Sequence, residues 1–151
     1  MKKIGILILL LSGGMLSAQS NEVLDTFLTM DNSDFATTVY LVLSASGVVP
    51  EDVPPRVAYQ ALLQKGWGFP QSNTDRPVLW GEYSLLLMKA FNLKGGILYS
   101  VLGGQRYAVK EVNFLRLLPY DKGIYDPITP YEAMLALQTL MEDKAPEEIA
   151  N

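Results

Sequence analysis

Apolar positions along this chain recur at the spacing of helices, and no stretch alternates convincingly with the two-residue period of a strand. Val23, Leu24, Phe27 and Leu28 predict a first helix over 21–30. The run Asp31-Asn32-Ser33-Asp34 breaks it and offers caps for a second helix over 34–45, whose stripe is Phe35, Val39, Val42 and Leu43 and whose stop is Gly47. Pro54 and Pro55 suit the entry to a third helix that buries Ala58, Ala61 and Leu62 and ends at Gly66. A loop rich in Gly, Pro, Asn, Ser and Asp covers 67–77. The next helix, over 79–92, is apolar nearly all round, which predicts a central buried position. Two glycine pairs, Gly95-Gly96 and Gly103-Gly104, bracket a short apolar helix over 97–102. A sixth helix over 106–117 turns Ala108, Val112 and Leu115 inward, and a second loop fills 119–128. The last helix opens on Thr129-Pro130-Tyr131-Glu132, a capping box with proline in the first helical position. Ala133, Leu137, Leu140 and Met141 follow on one face, and fraying is expected from Lys144.

The pattern also repeats. Displaced by fifty positions without a gap, Arg56 meets Arg106, Ala58 meets Ala108, Pro77 meets Pro127, Glu82 meets Glu132, Leu85 meets Leu135 and Leu87 meets Leu137. Chance identity over a window of this length gives roughly two matches. A fixed-period echo marks a duplicated unit that cannot bury its apolar face alone. The expected class is all-α, with helix–loop–helix units at about 54–93 and 104–142 packed as one small domain over 21–143. The helix over 34–45 offers a third half-unit if Asp34-Phe35 is set on Glu82-Tyr83, an offset of 48.

Ahead of this lies a segment of different character. Lys2 and Lys3 precede an apolar run from Ile4 that fades by Leu16 into Ser17-Ala18-Gln19-Ser20. That is the layout of a secretory signal peptide over 1–20, cut after Ala18 or after Ser20, and the run is short for a bilayer span. Its removal takes two lysines and no acid, so the net charge moves from −4 to −6. An acidic chain without a basic cluster is a poor match for nucleic acid or for an anionic membrane surface. There is no cysteine, hence no disulfide and no thiolate metal site, and the tail over 144–151 is acidic.

There is no histidine either, which removes the commonest general base and metal ligand. Glu82 and Glu132 are the remaining candidates for paired-carboxylate glycan hydrolysis, but both fall in a helix first turn, where a carboxylate caps backbone N–H groups. Asp31, Asn32, Ser33 and Asp34 lack the spacing of a calcium loop and read as caps. No catalytic residue, metal or cofactor is expected. Arg56 and Arg106, at matched positions, point either to pairing with a loop acid such as Asp75 or Asp126 or to a ligand. Trp67, Phe69, Trp80, Tyr99, Tyr107, Tyr120 and Tyr125 lie in or beside the loops, where aromatics either plug the helical core or form a binding surface. Arg56, Arg106, Trp67, Trp80, Tyr99 and Tyr107 are the candidate binding residues; Thr129, Glu132 and Glu82 are structural caps.

Each unit thus reads as a helix, a Gly- or Pro-rich loop, and an acid near the start of a second apolar helix: Val78-Leu79-Trp80-Gly81-Glu82 in one, Ile128-Thr129-Pro130-Tyr131-Glu132 in the other. This resembles the S-layer homology (SLH) domain, whose second helix opens on an Ile-Thr-Arg-Ala-Glu-like run. The resemblance covers roughly 54–142 and implies an exported cell-envelope protein, in the periplasm or on the wall, that binds without catalysis. Its implied partner is a wall glycan; a separate reading is docking on an envelope protein through the exposed aromatics and the Gly95–Gly104 segment. The arginine with which that family holds its polymer is Trp80 in one unit and Pro130 in the other, and the threonine survives only as Thr129. Capture of an anion by a guanidinium fork needs an arginine, so the resemblance carries the fold and the address rather than the ligand.

Overall fold

The computed structural model describes residues 21–149, with side chains as far as Asp143. The expected signal peptide lies outside the described residues. Seven helices carry the described chain: α1 over 21–28, α2 Phe35–Ala45, α3 Pro55–Gln64, α4 Trp80–Ala90, α5 Ile97–Leu102, α6 Gln105–Phe114 and α7 Pro130–Ile149. The class is all-α, as the periodicity predicts, and the helix boundaries fall within a few residues of those expected. One end differs. α7 continues past Lys144 and through Pro146 to Ile149, where fraying was expected; the Ala and Glu residues of that stretch are good helix formers.

α4 is the central element. Every residue from Trp80 to Met88 is buried. α3 packs on α2 and α6 packs on α4, while α2 lies against α4. Phe27, Phe35, Leu43, Leu62, Tyr83, Leu86, Leu87, Val112, Leu117 and Ile128 belong to one continuous core. Leu115 and Met141, expected inward, are largely exposed, and the apolar load of the α6 end passes instead to Leu117 and Leu118 beyond it. Leu115 follows the last helical residue, so the inward stripe no longer applies to it.

What joins the elements is a closed ring of backbone hydrogen bonds. Ser33 N–H donates to the Ile128 carbonyl at 3.0 Å, Ile128 N–H to Val78 at 3.1 Å, and Val78 N–H to Ser33 at 2.9 Å. These residues directly precede the caps of α2, α4 and α7, and all are buried. Around the ring, loops close the open N-terminal turns of helices, which have no partners of their own. Phe35 and Ala36 N–H groups donate to the carbonyls of Arg76 and Thr74, and Trp80 and Gly81 donate to Asp126 and Ile124. At α7 the corresponding first position is Pro130, which has no proton to donate.

The ring corrects the register of the third unit. Asp34 stands with Leu79 and Thr129, at offsets of 45 and 50, rather than with Glu82 at 48. The five-residue difference has one location. Starts of α3 and α4, like those of α6 and α7, are 25 residues apart; starts of α2 and α3 are 20 apart, and of α4 and α6 25. The five extra residues therefore lie between α4 and α6, where α5 is.

Candidate binding surface

The helix-starting carboxylates are engaged in structure. Glu82 lies in the first turn of α4, and its Oε2 accepts the Leu79 N–H at 3.1 Å, half of a capping box because Leu79 has no side-chain acceptor to complete it. Arg76 clamps the same carboxylate with two bonds, Nη1 to Oε2 at 2.8 Å and Nη2 to Oε1 at 2.6 Å. The guanidinium also lies 4.4 Å over the Phe35 ring, a cation–π contact. Its hydrogen bond to Glu82 raises the Arg76 pKa further, against the effect of burial.

Glu132 repeats the arrangement with different partners. Oε2 accepts the Thr129 N–H at 2.9 Å, and Thr129 Oγ1 accepts the Glu132 N–H at 3.2 Å, so here the capping box is complete. Oε1 accepts from Lys122 Nζ at 2.8 Å and Tyr120 Oη at 2.7 Å. Burial alone would raise this carboxyl, but Lys122, the Thr129 N–H and Tyr120 together hold it below the usual carboxylate range. The Tyr120 hydroxyl is raised, chiefly by the bond it donates. Each carboxylate is thus paired with a cation and a backbone donor. A general acid must hold a proton near neutrality, and this environment keeps Glu132 ionised.

Trp80 does not belong to a surface. It is 1% exposed, and its indole N–H donates to Asn113 Oδ1 at 2.9 Å. Asn113 in turn donates to the Lys122 carbonyl at 3.1 Å. Position 72 of the other loop, fifty residues earlier, is pinned by Tyr59, whose hydroxyl accepts the Ser72 N–H at 2.9 Å. Different side chains thus fix the two loops at the same place. Phe35, Trp80 and Pro130, the first residues of α2, α4 and α7, are all buried.

Arg56 and Arg106 are exposed, and neither forms an ion pair among the described residues. The pairing with Asp75 or Asp126 is not made; Asp126 Oδ2 accepts the Gly123 N–H at 2.6 Å instead. Arg76, which the fifty-residue echo passes over, takes the structural role expected of them. Trp67 and Tyr107 are half-buried beneath Lys65 and Lys110, at 5.9 and 5.8 Å from the ring centroids. Tyr99 is half-buried against Gly95, where an added Cβ would meet its ring at 2.6 Å.

α5 lies in the segment between the glycine pairs that the sequence offers as a docking surface. None of its residues is buried, and Ile97 and Val101 are 82% and 75% exposed, with Leu98 and Leu102 more than half exposed. Its exit is built from two glycines: Gly103 at φ 60°, ψ −164° and Gly104 at φ 82°, ψ 171°. Both conformations are essentially closed to other residues. The bracketing glycine pairs and the aliphatics Ile97, Leu98, Val101 and Leu102 mark α5 in the sequence.

No protein-family model matches the chain, and no curated protein or solved structure matches it significantly. Among the described residues no group of three or more His, Cys, Asp or Glu could hold a metal ion. No described helix is long and apolar enough to cross a membrane.

Proposed function

We propose that this chain is a non-catalytic, exported protein of the cell envelope that acts by binding or assembly on a scaffold of SLH-like repeats. One observation carries the reading: the polar groups that could do chemistry at the helix starts, Glu82 and Glu132, are held in ion pairs and caps, while the apolar helix α5 stands exposed. An enzyme keeps a titratable group free in a cleft; a binding module presents a surface. The signal-like segment over 1–20 supports the envelope address. With Phe35, Trp80 and Pro130 at the arginine positions, wall-polymer capture in the SLH manner has no guanidinium to use.

The test is co-sedimentation of the purified chain with isolated wall material at low and at physiological salt. Binding in both supports a wall-associated protein, and Arg56→Ala with Arg106→Ala then asks whether the matched arginines contribute. Absence of binding at either salt refutes the wall version. A second reading, docking on an envelope protein, draws on the aromatics in or beside the loops, of which Trp67, Tyr99 and Tyr107 are half-buried. A photoreactive residue at Tyr99 yields a specific crosslinked protein if that reading holds and none if it fails.

A further inference from the structure

We propose that α5 is a membrane-surface anchor, a short apolar helix that inserts between the headgroups of an anionic lipid leaflet. The inference deepens the binding reading by naming a target, and it rests on charge as well as exposure. All sixteen acids of the chain lie outside residues 83–110, yet that stretch holds Lys89, Lys94, Arg106 and Lys110. All four cations are exposed. Lys89 and Lys94 line one groove with Tyr99, Val101 and Leu102, so cations stand directly beside the apolar face. Glu111, the first acid after the stretch, sits over the start of α5, its Oε1 3.1 Å from where a Cβ on Gly96 would lie. The acidic net charge therefore hides a local basic rim.

The chemistry of the face selects lipid over protein. Protein-binding hot spots are rich in Trp, Tyr and Arg and poor in Leu and Val. α5 offers Ile97, Leu98, Val101 and Leu102, aliphatics on a protrusion, with half-buried Tyr99 at its flank. Exposed aliphatics bury their area in a fluid phase that can close around them, and lysines beside them meet anionic headgroups. The five-residue difference in spacing falls in this connector, and of the α5 side chains Tyr99 is the one that packs against the core.

The chain has no cysteine, so Val101→Cys provides a unique site for an environment-sensitive fluorophore. The full chain, labelled there, is mixed with vesicles of phosphatidylcholine alone or with phosphatidylglycerol added. The expected result is a blue-shifted emission with the anionic vesicles only, reversed by high salt; the same label at Gln138→Cys stays unshifted. Lys89→Glu with Lys94→Glu lowers the vesicle affinity roughly tenfold or more. Ile97→Asp with Leu98→Asp lowers it about a hundredfold with circular dichroism unchanged, because these side chains are outside the core. Equal shifts with both vesicle types, or no shift with either, overturn the proposal. A concentration-dependent shift without vesicles assigns the face to a second copy of the chain and also overturns it. The label reports from α5 on vesicles without wall material, so failure of either reading leaves the other standing.

Discussion

Gly81→Ala puts the loop-on-helix construction to a direct test. Gly81 is in the first turn of α4, and its N–H donates to the Ile124 carbonyl at 2.9 Å. Alanine improves helix propensity by about 1 kcal/mol relative to glycine in a helix interior. Against this, an added Cβ would stand 2.6 Å from Ile124 Cγ1, 2.8 Å from the Ile124 carbonyl oxygen and 3.0 Å from Gln105 Oε1. Ordinary carbon contacts begin near about 3.5 Å, so the 124 backbone must retreat by a large fraction of an ångström. Overpacking of this kind costs about 1–3 kcal/mol, and the stretched Gly81 bond loses about 1 kcal/mol more. The clash wins: the variant is destabilised by about 1–3 kcal/mol, a fall in Tm of roughly 4–12 °C for a domain of this size. Ala36 supplies the internal control. It occupies the matching place in α2, donating to Thr74 at 3.1 Å, and already carries a Cβ. Ala36→Gly should therefore cost about 1 kcal/mol through propensity alone. Urea titrations followed by circular dichroism, with unchanged m-values, measure both. A Gly81→Ala protein as stable as the parent, or more so, would show that the loop over 124–126 gives way freely and that the close approach does not hold it.

Further outcomes follow from the same contacts. The Glu132 carboxyl is held below its unfolded value, so its contribution to stability is present above about pH 4.3 and is lost as pH falls through the folded pKa. Glu132→Gln should lower stability at pH 7 by about 1–3 kcal/mol, with the gap to the parent closing toward pH 3; a gap of constant size across acid titration refutes the assignment. Trp80→Phe leaves Asn113 Oδ1 without its donor and should cost about 2 kcal/mol, with faster amide exchange around Lys122, and normal exchange there would disconnect Asn113 from the loop. Gly104→Ala meets no neighbouring atom, so any loss is conformational. It should amount to about 1–3 kcal/mol, and a neutral result in thermal melts would mean that the α5–α6 turn adopts another backbone conformation.

Much of the architecture was readable because it depends on local pattern. The helix stripes, the proline entries and the Thr129–Glu132 capping box are short-range statements, and they appear where the chain predicts them, apart from the stripe ends at Leu115 and Met141. The misreadings involve distance. Trp80 looks like a loop aromatic until its indole finds Asn113, thirty-three residues on. Arg76 looks unremarkable beside the matched pair Arg56 and Arg106, because an ungapped echo rewards residue identity and the two glutamates recruit different cations from different loop positions. The third unit was misaligned for a related reason. A gap-free slide cannot see a unit displaced by five residues, whereas the ring through Ser33, Val78 and Ile128 shows its register at once.

The ring and the addition at α5 bear on each other. Ring closure demands that α2, α4 and α7 start in register, which fixes what precedes each start, and the identical spacings from α3 to α4 and from α6 to α7 show how little those segments vary. The connectors that follow the helices carry no such demand, and residues can be added there without disturbing a ring bond. An addition at that place would disappear into solvent-facing polar loop if it had no role. This one instead carries four exposed aliphatic side chains, an exit made of two glycines in conformations barred to other residues, and a rim of cations in a chain of net negative charge. Exposed aliphatics lower solubility and do nothing for the core. Their concentration at a connector outside the ring is the basis for proposing α5, rather than the helix starts where the SLH resemblance would look, as the place where this scaffold meets its target.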